Sequence, residues 1–333
     1  MKEQSMTKAF AILSAAGMLV KVMSLLYIPL MRYIIGDEGY GIYGAAYQVY
    51  AFVFVLTNAG IPTAISKMIS ELTAVGNYKD AIKGFKLARF ALLIIGISMA
   101  GILLTFAAPL ANGLHYKKAY YALLMLSPAI LFTSVASAYR GYFQGRGNMT
   151  PTAVSQVIEQ VVNTVFAVIF AVYLMRFGLE AGVAGGPIGT SLGSLASAVF
   201  LVYSYNKSKK FRSSSNKVME GIKRLSTKQL VRRIIKYGVP ITICVGMTYA
   251  GNLVDVYNTK VRLMTGGFTD PQASVLYGYL VKYQQLINVP IAIITSLAAA
   301  ILPAISAAFA KNEKEKVKEK IIDRKSTRLN SSH

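Results

Sequence analysis

Six ionisable side chains stand inside long apolar stretches of this chain: Lys21, Arg32, Glu159, Asp255, Lys260 and Lys282. A charge at mid-membrane costs at least ~2.5–3.5 kcal/mol on insertion scales, so it persists mainly where it faces a wet cavity or a partner. Lys21, Arg32 and Lys282 are candidates for holding an anionic group, Arg as a two-pronged donor and Lys as a point charge. Two other arrangements are open: Lys21 could pair with Asp255, and Arg32 and Lys260, near the ends of their stretches, could reach the interface. Gln156, Glu159, Gln160 and Asn163 follow i, i+3, i+4, i+7 and so form one polar stripe on a helix, with Val157, Ile158, Val161 and Val162 on the other side. Such a stripe reads as a cavity wall. Alternatively Glu159 could carry a proton or, with Gln156 and Asn163 as oxygen donors, hold a cation such as sodium.

The elements that must position these groups are membrane spans. Hydrophobic residues make up 54% of the chain, against about 45–50% for soluble proteins. Eight apolar runs, at roughly 9–35, 43–64, 87–111, 119–139, 152–176, 181–205, 237–259 and 275–305, reach the length of about 20 residues that crosses a hydrocarbon core. The chain therefore reads as an all-α integral membrane protein. The first run is too long for a signal peptide, contains Lys21 and lacks a small-residue cleavage site. Connections on the side of the amino terminus carry twenty Lys and Arg, eleven of them between Lys207 and Lys236, against five on the other side. The positive-inside rule then puts the amino terminus in the cytoplasm.

The stretch from Arg140 to Asn163, RGYFQGRGNMTPTAVSQVIEQVVN, resembles the same segment of bacterial polysaccharide-biosynthesis flippases. These are the MurJ and stage V sporulation protein B group of the multidrug/oligosaccharidyl-lipid/polysaccharide exporter superfamily. The likeness extends more loosely to about residue 322. It implies a MATE-like bundle of two six-helix lobes, of which this chain would hold a complete first lobe and the first two helices of the second. It also implies that cations of the first helix line the cavity: Lys21 stands where an arginine is usual, and Arg32 falls in the matching MRYIIG. A further cation in the eighth helix would be Lys282, although the local match could place Gln284 or Gln285 there.

An internal repeat agrees with two lobes. Leu19-Val20-Lys21-Val22 matches Leu253-Val254-Asp255-Val256, and Tyr43-Gly44 and Tyr277-Gly278 follow Lys21 and Asp255 by the same 22 residues. Each copy ends similarly, at Ile61-Pro62-Thr63-Ala64-Ile65-Ser66 and at Leu302-Pro303-Ala304-Ile305-Ser306. Both copies begin on the same side, so the repeat is parallel. The expected domains are a first lobe over 1–205, a basic interlobe linker over 206–236, two helices of the second lobe over 237–310 and a basic cytoplasmic segment over 311–322. Val218 to Ile235 is expected to form an amphipathic surface helix. Asp323 to His333, DRKSTRLNSSH, resembles the translation of a common sequencing adapter and is excluded from fold reasoning, which points to a truncated gene product.

The net charge of +22 is explained by basic loops facing anionic lipid headgroups, so nucleic acid is not an expected partner. One cysteine, Cys244, and two histidines support neither a disulfide nor a histidine metal cluster, and no cofactor is implied. The run GVAGGPIGTSLGS lacks the Lys-Ser/Thr ending of a phosphate loop; its spacing suits close helix packing in lipid. Asn58, Gly60 and Pro62 predict a loosened second span. The function expected is translocation of a polyprenyl-diphosphate-linked saccharide, such as lipid II, by alternating access in the bacterial cell membrane. Its partners would be that substrate, membrane lipids and the cell-wall synthesis machinery. A cation-coupled drug exporter of the same fold is the alternative. A membrane glycosyltransferase or polymerase is less favoured, because no catalytic carboxylate pair stands out among 14 acids.

Overall fold

The computed structural model describes residues 6–208, 224–287 and 290. Its described elements are helices joined by short turns. Helix α1 (Met6–Asn58) holds the first span and most of the second, and only Gly36, at φ 70° and ψ 177°, leaves helical backbone inside it. A side chain with a Cβ is strained at that φ, so glycine reverses the chain there within one residue. The departure is confined to that one residue. Gly39 takes no positive φ.

Helix α2 (Gly60–Ala74) continues the second span past an interruption at Ala59. Pro62 has no N–H to give the carbonyl one turn back. The Asn58 amide stabilises the break by donating to the Phe54 carbonyl at 3.0 Å and accepting from the Ser137 hydroxyl. The expected loosening therefore has a fixed geometry. Helices α3 (Tyr78–Gly113), α4 (Tyr120–Gly145), α5 (Thr150–Leu174) and α6 (Leu179–Lys207) complete six crossings. The glycine run seals α6 against α5: a Cβ on Gly185, Gly189 or Gly193 would stand 2.2, 2.5 or 2.5 Å from backbone atoms of Ala171, Ala167 and Glu159. As the spacing predicts, small residues bring two backbones together where lipid supplies no hydrophobic drive.

Helix α7 (Thr227–Thr265) and helix α8 (residues 270–287) open the second lobe. The expectation of an amphipathic surface helix over Val218 to Ile235 is corrected in its described part. Residues 224–226 are not helical, and Ser226 caps α7 through a reciprocal pair with Gln229, which fixes the helix start at Thr227. Thr227 to Ile235 is simply the first part of α7. Residues 218–223 of that expected helix, the rest of the linker from 209, the eighth span beyond 290, the second copy of the repeat ending, the 311–322 segment and the 323–333 tail lie outside the described residues.

Among the described residues, six helical stretches are long and apolar enough to cross a membrane, the first of them, Ala11–Ala74, containing two of the predicted spans. Two buried clusters hold the bundle. One groups Met31, Ile42, Leu123 and Ile130 with Tyr277 and Val281 of α8. The other groups Ile65, Met68, Phe85 and Tyr142 with Leu230 and Ile234 of α7. Both ends of the second-lobe pair are therefore packed into the first lobe. The end holding the α2–α3 turn and the start of α7 is termed the basic face below.

Candidate functional site

The first half of α1 borders two adjoining cavities. The smaller, about 300 Å3, is lined by Lys21, Ser24 and Tyr27 of α1, by Tyr40, Tyr43 and Tyr47 beyond the Gly36 turn, by Gln160 and Asn163 of α5, and by Gln285 of α8. The larger, about 670 Å3, is lined by Arg32, Lys282 and Asp37 among apolar residues that include Leu26, Pro29 and Leu286. Leu25 and Ile28 border both. The three candidate cations Lys21, Arg32 and Lys282 are thus brought to one continuous region between the first lobe and α8.

Their states differ. Lys21 has no carboxylate partner among the described residues. Arg32 is gripped by Asp37 through both prongs, Nε on Oδ1 and NH2 on Oδ2, the latter at 2.9 Å. Tyr279 of α8 donates to the same carboxylate at 3.3 Å, and its ring stands 5.6 Å from the guanidinium. An anion arriving at Arg32 therefore meets a charge already neutralised and an Nε–NH2 edge already occupied by Asp37, whereas Lys21 carries no such counter-charge.

The polar stripe of α5 is divided between two neighbours. Gln160 and Asn163 face the smaller cavity, where Asn163 accepts from Thr190 of α6 at 3.3 Å. Glu159 instead receives Arg140 of α4 at 2.5 Å, and the same guanidinium donates to Ser155 at 3.1 Å and Ser197 at 2.8 Å. That network ties α4, α5 and α6 together. Gln156 is half-buried and lines neither cavity, and Asp255 is exposed on α7 outside both. Lys21 and Asp255 form no ion pair, so the arrangement in which they neutralise each other across the lobes is not the one adopted.

Three features escape a reading based on charge alone. Tyr40, Tyr43, Tyr47, Tyr50 and Phe54 form an aromatic ladder along α1, with successive ring centroids 5.9, 4.4, 5.9 and 5.8 Å apart. Their spacing by alternating steps of three and four residues was the available signal. The ladder is wired on both sides: Tyr40 donates to Gln285 at 2.7 Å, Tyr43 and Tyr27 share a hydrogen bond at 3.3 Å, and Tyr47 pairs with Thr190.

The second is Lys260, which is fully buried rather than reaching the interface. It pairs with Asp270 at 2.8 Å, donates to Ser274 at 2.7 Å and lies 4.6 Å from the Tyr116 ring of the first lobe. Nearby, Gly41 meets α8 so closely that a Cβ would stand 1.8 Å from the Ser274 carbonyl oxygen. This is the junction of the lobes opposite the basic face.

The third is Asp80, which joins the lobes at the basic face. It accepts from the Leu225 N–H at 2.8 Å, from Asn77 at 2.8 Å and from Arg224 at 3.1 Å. Asp80 lies ahead of the apolar part of α3. Burial by itself raises its pKa, but the Leu225 N–H, the Asn77 amide and the Arg224 charge outweigh that and hold the carboxyl below its ordinary value. Gly60 abuts α7 on the same half of the bundle, where a Cβ would stand 1.9 Å from the Gly238 carbonyl oxygen.

Long apolar helices, two lobes in contact near both ends and a cation-bearing region between them define a multi-pass membrane protein with the MATE-like fold. Solved structures agree. A multidrug resistance MATE family transporter of the MOP superfamily, captured facing inward, matches with a TM-score of 0.68 at 16% identity, covering 92% of this chain and 68% of the other. A MOP superfamily transporter from Pyrococcus furiosus matches with a TM-score of 0.66 at 17% identity, covering 96% of this chain and 68% of the other. The family is narrower than the fold. The chain belongs to the polysaccharide biosynthesis protein family, whose model matches residues 6–309. It is 29% identical over 313 residues to stage V sporulation protein B of Bacillus subtilis, covering 92% of this chain and 59% of that protein. It is 24% identical over 312 residues to the lipid II flippase MurJ of Bacillus subtilis, covering 90% of this chain and 57% of that protein. The chain thus spans less than two thirds of the length of these relatives.

Proposed function

We propose that the protein takes part in flipping a polyprenyl-diphosphate-linked saccharide, of the kind lipid II represents, across the bacterial cell membrane by alternating access. One observation carries this reading: Lys21, Arg32 and Lys282 line two adjoining cavities between α1 and α8. A diphosphate offers the charge and the fork of oxygens that such cations match. The polar smaller cavity suits a headgroup, and the apolar walls of the larger one suit the adjoining lipid. The similarity to the lipid II flippase MurJ of Bacillus subtilis supports the same substrate class. The excess of basic residues on one face supports a cytoplasmic amino terminus. In this reading the protein performs no covalent chemistry. Gln160 and Asn163 serve as neutral hydrogen-bonding groups of the cavity wall, while Glu159 positions helices through Arg140 rather than carrying a coupling ion.

The test is exposure of lipid II on the outer face of cells depleted of their own flippase and expressing a form of this protein extended to the length of its relatives. Restored exposure that disappears in Lys21→Ala is the expected outcome. Full expression with no restored exposure would remove lipid II as the substrate and favour a cation-coupled drug exporter, the second reading that the fold allows.

A further inference from the structure

We propose that the basic face carries a binding site for one anionic glycerophospholipid, formed at the start of α7 and separate from the cavities of the transport reading. A concavity of about 280 Å3 is lined by Leu225, Gln229, Arg232, Arg233 and Lys236. Arg232 and Lys236 are exposed, one helical turn apart, and neither has a carboxylate partner among the described residues. Among the described residues, the carboxylate nearest Arg233 is that of Glu71, at a long 3.9 Å. The floor is held in place from the other lobe, because Asp80 accepts the Leu225 N–H. The result is a preformed cationic hollow whose charges are mostly unspent.

The stripe beside it decides what kind of anion fits. Val231, Ile235 and Val239 recur every four residues and are 39%, 54% and 46% exposed, so they form an apolar strip directly alongside Arg232 and Lys236. The charged turns come first along α7, and the uninterrupted apolar part follows Lys236. That order places the hollow where a helix passes from headgroups into hydrocarbon, the setting in which basic pockets hold anionic lipid heads. A free phosphate would use the cations alone. A phospholipid uses both, its phosphate on Arg232 and Lys236 and an acyl chain along Val231, Ile235 and Val239.

The experiment counts phosphatidylglycerol retained by the purified full-length protein, by native mass spectrometry after titration with dioleoyl phosphatidylglycerol, with dioleoyl phosphatidylcholine as the neutral comparison. It reads lipid retention rather than transport, so its outcome is independent of the flippase reading. Arg232→Gln with Lys236→Gln is expected to lower phosphatidylglycerol affinity about twenty-five-fold, since each basic side chain near an anionic surface contributes about fivefold. Lys83→Gln with Lys86→Gln, the same charge change at exposed positions of α3, is expected to have little effect. Ile235→Gln, which keeps every charge, is expected to weaken the lipid as well. Unchanged affinity in the Arg232/Lys236 variant, or an equal loss in the Lys83/Lys86 variant, would overturn the site. Indifference to Ile235→Gln, together with displacement of the lipid by millimolar inorganic phosphate, would reduce it to an ion site and overturn the lipid assignment.

Discussion

The two cavities along α1 share a wall but offer an anion different terms. In the smaller one Lys21 stands without a carboxylate partner among the described residues, beside tyrosines and amides that already have hydrogen-bond partners. In the larger one Arg32 is held at both prongs by Asp37, inside mostly apolar walls. A charge that is already neutralised gives an incoming anion only the difference between the new partner and the old. In the proposed reading, Lys21 in the smaller cavity and Lys282 in the larger, neither with a carboxylate partner among the described residues, are open to an anion, whereas Arg32 is already neutralised by Asp37.

Substitutions can break or sharpen that contrast. Lys21→Ala carries the largest expected effect: loss of a charge-assisted hydrogen bond worth about 1.5–3 kcal/mol, roughly ten- to a hundredfold in affinity for a diphosphate-bearing lipid, measured on the full-length protein. Asp37→Asn should act in the opposite direction. It frees Arg32 and raises diphosphate affinity about tenfold, the scale of one charge-assisted pair; an affinity that falls instead would show that Asp37 orients Arg32 rather than competing for it.

Smaller changes should follow in the supporting shell. Tyr47→Phe removes the pairing with Thr190 and is expected to lower affinity by about fivefold or less, the worth of one neutral hydrogen bond. Glu159→Gln should leave affinity within about twofold while lowering thermal stability by about 2 kcal/mol, because Arg140 is mostly buried and loses its countercharge. A Glu159→Gln variant that binds poorly yet melts normally would move Glu159 from the helix network into the binding site.

Hydropathy alone made the spans legible, since an apolar run of sufficient length has few other uses. The α5–α6 seam was legible for a similarly local reason: glycines every four residues fall on one helix face. The stripe of α5 was legible only as a stripe. Which neighbour each residue meets depends on Arg140, 19 residues before Glu159 on another helix, and periodicity carries no information about that. The place of Lys260 was open in the sequence because it sits close to a span end, where a lysine can reach water. Its partner Asp270 lies across the α7–α8 turn, and their meeting depends on the hairpin closing under Tyr116. The start of α7 was hidden by its own charges, because a helix that extends beyond the membrane looks like a basic linker until Ser226 and Gln229 are seen to cap it.

The measurement that bears most directly on the whole account is headgroup translocation by the full-length protein in proteoliposomes, using a polyprenyl-diphosphate-linked saccharide and comparing wild type, Lys21→Arg and Lys21→Ala. The account predicts that Lys21→Arg keeps most of the rate and Lys21→Ala loses at least about tenfold, the lower bound for a lost charge-assisted contact. Wild-type translocation by Lys21→Ala would contradict it, because the cation on which the substrate assignment rests would then play no part in moving the substrate.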